Sequence, residues 1–403
     1  MRILHTSDWH LGQHFMGKTR QAEHQAFCAW LIELVREQAV DALLIAGDIF
    51  DTGAPPSYAR EQYNRFIVEL RATGCELVVL GGNHDSVAML GESRSLLAEL
   101  GTRVIPGVCE DLSQQVLVLK QRNGQPGAVL CGIPFIRPRD VLLSQAGQSA
   151  EDKQLSLQQA IQQHYQTLYA LAEAKCAELG GNLPIIATGH LTTVGASASD
   201  SVREIYVGSL EAFPTSAFPP AAYIALGHIH RPQKVGGLEH IRYSGSPIPL
   251  SFDEARQQKE VLLVECSGNA LQSVTALSVP CFQPLISLCG SLAELGQQIK
   301  EVAGQGSTEQ PVWLEVLVAA DDYLSDLQTR IAALCEGLPV EVLRVRRERG
   351  NAAASLSSQS RETLDELTVD EVFARRLQQE ELEPDEQARL QQMYRDVVGA
   401  LQV

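Results

Sequence analysis

The 403-residue sequence predicts an α/β protein built of layered sheets flanked by helices, with a smaller appended unit and a helical tail. Three observations carry this. Through residue 275 or so, apolar runs of four to six residues bounded by Gly, Asp or Pro alternate with stretches of helical periodicity. Such runs read as strands buried on both faces, which need a covering layer on each side. From 282 to 346 the same alternation repeats on a smaller scale, and beyond 361 only helical periodicity remains.

In order, the predicted strands are Met1–His5, Ala42–Ala46, Leu77–Leu80, Val129–Ile133, Ile185–Ala187 and Tyr223–Leu226, with a helix over Thr19–Glu37. That helix follows from the spacing of Ala22, Phe27, Trp30, Leu31 and Leu34. The second unit reads as strand Leu285–Leu288, helix Ser291–Val302, strand Val312–Val318, helix Asp322–Cys335 and strand Val340–Val345. Ser and Ala dominate 349–360, which reads as a linker. In the tail, Thr368 and Glu371 form a capping box. Val369, Val372, Phe373 and Leu377 then share one helical face. Pro384 opens a second helix, where its missing N–H costs little. Leu390, Met393, Tyr394, Val397, Val398 and Leu401 repeat at i, i+3, i+4, i+7, i+8 and i+11. The expected division is 1–275, 282–346, a linker at 349–360, and a two-helix element at 361–403.

Composition narrows the class. Apolar residues make up 45% and charged residues 20%, which fits a globular rather than a disordered chain. No run approaches the roughly 18 apolar residues of a membrane span. The N-terminus turns polar too early for a signal peptide. Nine scattered cysteines without a Cys-x-x-Cys pair fit a reducing compartment, so the expected location is cytoplasmic. The formal charge of −17 argues against a partner held by bulk attraction to anions. That acidity is uneven. Residues 1–275 hold 21 basic and 28 acidic side chains, whereas 276–403 hold 11 and 21.

Five short motifs carry the chemistry: Asp8-x-His10, Gly47-Asp48, Gly82-Asn83-His84-Asp85, Gly189-His190 and Gly227-His228-x-His230. Each follows an apolar run directly, and the carboxyl ends of strands are where open α/β sheets bind ligands. Five of the ten histidines lie in these motifs. Aspartate, asparagine and imidazole without thiolate suit Mn²⁺, Fe²⁺ or Zn²⁺, and the oxygen content favours Mn²⁺. The number of groups exceeds the needs of one ion, so two divalent ions are expected, an arrangement that clamps a phosphate and generates a hydroxide nucleophile. The motifs alone do not separate a nuclease from a phosphatase or a cyclic-nucleotide phosphodiesterase.

In this order the motifs resemble the calcineurin-like metallophosphoesterase superfamily. The surrounding text is more similar still to the nuclease subunits of bacterial SbcC–SbcD complexes, relatives of archaeal and eukaryotic double-strand-break repair nucleases. The similar stretches are Met1–Gln13, Gly47–Glu61, Gly82–Val87, Ile133–Asp140, Thr188–Gly208, Ala225–Pro232 and Tyr243–Glu254. The resemblance implies that Asp8, His10 and His230 hold one ion and that Asn83, His190 and His228 hold the other, with Asp48 bridging. It implies that His84 acts on the scissile phosphate or leaving oxygen without ligating, with Asp85 orienting His84 or its loop.

The same resemblance implies a double-strand exonuclease and single-strand or hairpin endonuclease within a dimer. The 282–346 unit would be its capping domain. The tail residues Val372, Phe373, Leu377, Leu390, Tyr394, Val397 and Leu401 would bind the coiled coil of an SbcC-type ATPase. Lys18, Arg20, Arg137 and Arg139, on expected loops, are candidates for DNA phosphates, and Gln13, His14 and Ser244–Ser246 for lining the site. One departure is visible: Asp51 stands where archaeal and eukaryotic relatives commonly carry a histidine.

Overall fold

A computed structural model describes residues 1–142, 150–199, 201–202, 212–319, 327–347 and Met393. The predicted linker at 349–360 and the tail residues Val372, Phe373, Leu377, Leu390, Tyr394, Val397 and Leu401 lie outside the described residues.

Two six-stranded sheets form the body. The first runs, edge to edge, Ala270–Ser278, Glu260–Ser267, Arg2–Thr6, Ala42–Ala46, Glu76–Leu80 and Thr102–Ile105. Its last four strands are parallel and its first two form an antiparallel flank. The second runs Gln233–Val235, Leu238–Tyr243, Tyr223–Gly227, Ile185–His190, Pro126–Cys131 and Val116–Lys120. Its four inner strands are parallel.

The Ala42–Ala46 strand shows why these runs are apolar throughout. Side chains alternate between the two faces of a strand. Leu43 and Ile45 join the core under the helices Gln21–Glu37 and Ser57–Arg71. Ala42 and Leu44 face the other way, into a core with Ile3, Val78, Leu130, Ile186 and Ala225 that joins the two sheets. The outer face of the second sheet is covered by Ala150–Glu178 through Leu157, Ile161, Tyr165 and Leu168. Each such large side chain, fully buried, contributes about 1.5–3 kcal/mol. The helix expected from Thr19 begins at Gln21, because Lys18–Thr19 pairs with His14–Phe15 in a two-residue ladder.

Leu285–Gly290, Val312–Val318 and Val340–Arg347 form a separate parallel three-stranded sheet. The helices Leu292–Ala303 and Leu327–Cys335 alternate with its strands. Ser291 caps the first of these, its hydroxyl accepting from the Glu294 amide while Glu294 reaches back to the Ser291 amide. This unit has its own core around Leu295, Ile299, Leu314, Val316 and Ile331. Phe15, Phe252, Leu285 and Trp313 pack as a seam joining it to the larger body.

Arg20 is bolted under that seam, which corrects its reading as a loop cation open to phosphate. Its side chain is buried, with Nε and Nη2 donating to Glu23 Oε2 at 2.7 and 2.5 Å. Nη1 donates to Gln13 Oε1 and to the Pro249 carbonyl, and the guanidinium lies over the rings of Phe15 and Trp313. A nucleic-acid backbone cannot reach it.

Candidate metal centre

The predicted ligands arrive from five parallel strands of both sheets. Asp8 and His10 follow Arg2–Thr6, Asp48 follows Ala42–Ala46, and Asn83 follows Glu76–Leu80. His190 ends Ile185–His190, and His228 and His230 follow Tyr223–Gly227. Main-chain bonds tie the first two loops together: Asp8 N donates to Gly47 O and His10 N to Asp48 O, both at 3.0 Å. Asp8, His10, Asp48 and His228 all adopt positive φ, at 55°, 48°, 51° and 95°. This conformation costs a non-glycine residue about 1–3 kcal/mol and persists only where the surroundings impose it. The strain turns these side chains inward from the strand ends. Two glycines are required by proximity. A Cβ on Gly82 would lie 2.1 Å from Asp48 Oδ1, and one on Gly47, itself at φ 96°, would lie 2.1 Å from His190 Nδ1.

Three groups bring candidate ligand atoms within 4.8 Å of one another: Asp8, His10 and His230; His10, Asp48 and His84; and Asp48, His190 and His228. Asp48 belongs to two of them, and its Oδ2 lies 3.6 Å from His10 Nε2 and 3.3 Å from His190 Nε2. Asn83 Oδ1 lies 2.9 Å from His190 Nε2 and 3.2 Å from His228 Nδ1. The structure therefore brings together all seven residues expected to hold metal.

These residues fit divalent cations. His10 Nε2 and His228 Nε2 are buried without a hydrogen-bond partner, a cost that a bound ion removes. His190 Nδ1 meets the Ala46 carbonyl at 2.9 Å; as the donor there, it leaves Nε2 as a lone pair toward Asp48 and Asn83. His10 Nδ1 is similarly engaged by Asp51 Oδ1 at 3.2 Å. Asp51 thus supports a candidate ligand.

Electrostatics agree with the geometry. Burial opposes the charge on Asp48, yet His190, His10 and His84 hold its carboxyl well below the usual range. Burial likewise disfavours the His190 cation, but Asp48 raises its pKa to about 9. The site is an anion surrounded by imidazoles, and protons compete there with metal for the same lone pairs.

His84 is half-buried, its Nδ1 2.7 Å from the Asp51 carbonyl and its amide donating to Asp48 Oδ1 at 2.9 Å. Asp85 contacts the loops rather than the His84 ring. Its carboxylate accepts from the amides of Gly82, Phe50 and Ile49 at 2.8, 3.0 and 3.1 Å. Burial and the Asp48 charge push its pKa up to about 6 against those bonds. Asp85→Ala leaves three buried amides unsatisfied. We expect it to destabilise the fold by about 3 kcal/mol, measured as a lowered urea midpoint; an unchanged midpoint would show that the loop does not depend on this carboxylate.

An open cleft over the centre is lined by His10, His84, His230, Asp51, Gln13 and His14, with Arg344 reaching in from the three-stranded sheet. Ser244 and Ser246, expected to line the site, are buried instead, Ser244 against Ser7 and Ser246 against Glu254. Of the remaining candidate phosphate contacts, Arg139 is widely exposed. Arg137 donates to the Asp85 carbonyl at 3.0 Å, and Lys18 pairs with Glu341 of the three-stranded sheet. Sequence reasoning does not single out Arg344 as a site residue, and it marks Asp51 only as a departure from relatives that carry histidine there, not as a partner of His10. Arg344 lies on a strand far along the chain, and nothing in its local sequence points to a cleft built mainly from residues 10–253.

Parallel strands of two stacked sheets that deliver aspartate, asparagine and histidine to one locus define a metallophosphoesterase. The calcineurin-like phosphoesterase family matches residues 1–232, and the family described as type 5 capsule protein repressor C-terminal domain matches 281–381. The chain is 56% identical to SbcD of the SbcCD nuclease of Escherichia coli K12, covering 100% of this chain and 98% of that protein. It is 35% identical to the Rhodobacter capsulatus SbcD over 85% of this chain and 86% of that one. The Bacillus subtilis SbcD is 29% identical, with 81% of each chain covered. The chain belongs to the SbcD family of nucleases, within the calcineurin-like phosphoesterases.

Proposed function

We propose that this metal-dependent nuclease hydrolyses DNA phosphodiester bonds, as a double-strand exonuclease and a single-strand or hairpin endonuclease, with two Mn²⁺ ions. The observation that carries the reading is the convergence of Asp8, His10, Asp48, His190, His228 and His230 on one locus, with Asp48 shared between two groups and Asn83 Oδ1 against His190 and His228. Asp8, His10 and His230 would hold one ion and Asn83, His190 and His228 the other, bridged by Asp48. When bound, such ions neutralise the phosphate and activate the attacking water. The protein's own contribution is to hold the ligand tautomers, to keep Asp48 ionised, and to set His84 beside them, where it can stabilise the phosphate or protonate the leaving oxygen.

The relatives are named as parts of SbcCD. On this chain we infer a partner of the SbcC type, a coiled-coil ATPase bound by the helices expected in 361–403, with two copies of each chain in the complex. The proposed division is a nuclease domain at 1–275, a capping domain at 282–346 and a linker at 349–360. The acidity supports this. Residues 360–403 hold 5 basic and 11 acidic side chains, which suits a protein surface better than DNA. Arg139, Arg137 and Lys18 remain the proposed phosphate contacts, and the expected location is cytoplasmic. Among the described residues no helix is long and apolar enough to cross a membrane.

The test is incubation with Mn²⁺ and duplex, hairpin or single-stranded DNA, with and without the ATPase partner, beside a simple phosphodiester ester. DNA cleavage that needs the metal and is increased by the partner is expected. Ester hydrolysis without DNA cleavage under any condition would favour a small-molecule phosphodiesterase.

A further inference from the structure

Behind His230 lies a buried ion pair to which no ligand role falls. Glu254 and Lys259 are both buried, with Lys259 Nζ 2.6 Å from Glu254 Oε2. That oxygen also accepts from the Leu250 amide at 3.0 Å and the Ser246 hydroxyl at 3.3 Å. The other oxygen, Oε1, accepts from Ser199 Oγ at 2.7 Å and from Ser201 Oγ, and lies 3.3 Å from His230 Nδ1. Ser201 Oγ is 2.6 Å from the same Nδ1. Lys259 also donates to the His230 carbonyl at 3.0 Å. One carboxylate is therefore tied both to the ring of His230 and, through Lys259, to its main chain.

Proton counting fixes the ring. An ionised carboxylate only accepts, and a serine hydroxyl has one proton to give. Ser201 gives its proton to Glu254, so toward His230 it accepts, and Nδ1 carries the ring proton. A neutral imidazole then has its lone pair on Nε2. A buried ion pair is weak grounds for stability, because desolvation offsets much of the attraction. A carboxylate behind a metal-binding imidazole does something else: it fixes the tautomer and raises the ligand's basicity.

We propose that Glu254 is a positioning residue for the metal centre, holding His230 through Ser201 and Lys259 with Nε2 presented to the ion that Asp8 and His10 share. This rests on the reading of His230 as a ligand. It also makes the two sites unequal. His10 and His230 are each backed by a carboxylate, Asp51 and Glu254, whereas His190 is backed by the Ala46 carbonyl. Glu254 is the last residue of the Tyr243–Glu254 segment, which supplies no ligand.

Two measurements on the full chain test it. The first is ¹⁵N NMR of histidine-labelled, metal-free protein, with His230 assigned from its absence in His230→Ala. Nδ1–H is expected, and an Nε2–H ring overturns the proposal. The second is Mn²⁺ titration with metal analysis. Glu254→Ala should weaken one ion by about 10- to 100-fold and leave the other at native affinity. His230→Ala should lose that same ion. If His230→Ala keeps both ions, the ligand reading itself falls. If His230→Ala loses one while folded Glu254→Ala binds both with native affinity, the positioning role falls and the ligand reading stands. Should Glu254→Ala not fold, the tautomer of the unaltered protein decides.

Discussion

Asp48→Ala is expected to bind neither ion tightly and to lose DNA cleavage by at least about a thousandfold, since the metals supply several kcal/mol of transition-state stabilisation. The reason is position. Asp48 Oδ2 faces both His10 and His190, one from each ligand group, so removing it takes an anionic oxygen from two sites at once. It also leaves His190 without the charge that now outweighs burial in raising its pKa, and takes from His10 one of the carboxylates that, after the Asp51 hydrogen bond, raise its pKa. Asp48 has a second role, because its Oδ1 accepts the His84 amide at 2.9 Å. Asp48→Asn separates the two. The asparagine can still accept that amide and so keep the Gly82–Asp85 loop, but it removes the negative charge. We expect Asp48→Asn to melt near the parent protein and still lose metal, measured as ions per chain by elemental analysis. Two tightly held ions in Asp48→Asn would refute the bridging role.

The residues that converge on this centre were legible in the sequence because the candidate ligands sit at the ends of buried strands. Ala42–Ala46 and Val312–Val318 are predicted at their observed bounds, since apolar runs flanked by polar or turn residues leave little ambiguity. The amphipathic or exposed elements were harder to read. The helix Ser57–Arg71 buries Ala59, Tyr63, Phe66, Ile67 and Leu70 along one stripe, but arginines and glutamates surround that stripe. The edge strand Ala270–Ser278 is half-exposed along its length and carries no continuous apolar run.

At the site, the candidate ligands follow local signals, a glycine or a strand end beside each motif. Their supports do not. Glu254 reaches His230 across 24 positions, and Asp51 reaches His10 across 41. Arg20 shows the converse error. As a cation beside an expected loop it looked free, but Glu23 three residues on, Phe15 five residues before it and the Trp313 ring from a distant strand enclose it. Charge type is written in the sequence, whereas burial depends on which distant segment folds over it.

His84→Ala is expected to retain both ions and DNA binding while cleavage falls by about 10²- to 10⁴-fold, the range for a positioned proton donor. His84 is half-buried at the cleft, its ring 4.7 Å from that of His10 and its Nδ1 on the Asp51 carbonyl, which orients it without calling on the candidate ligands. Its main-chain bond to Asp48 survives truncation of the side chain, so the bridge should stay in place. The leaving group distinguishes what the ring does. DNA releases an alkoxide, which needs a proton, whereas a nitrophenyl phosphodiester releases a far weaker base that does not. If His84 protonates the leaving oxygen, His84→Ala should be impaired on DNA and nearly unimpaired on the nitrophenyl ester. An equal loss on both would assign the ring to stabilising charge on the phosphate itself. Loss of an ion from His84→Ala would make it a ligand, since a nitrogen of its ring already lies within 4.8 Å of ligand atoms on His10 and Asp48.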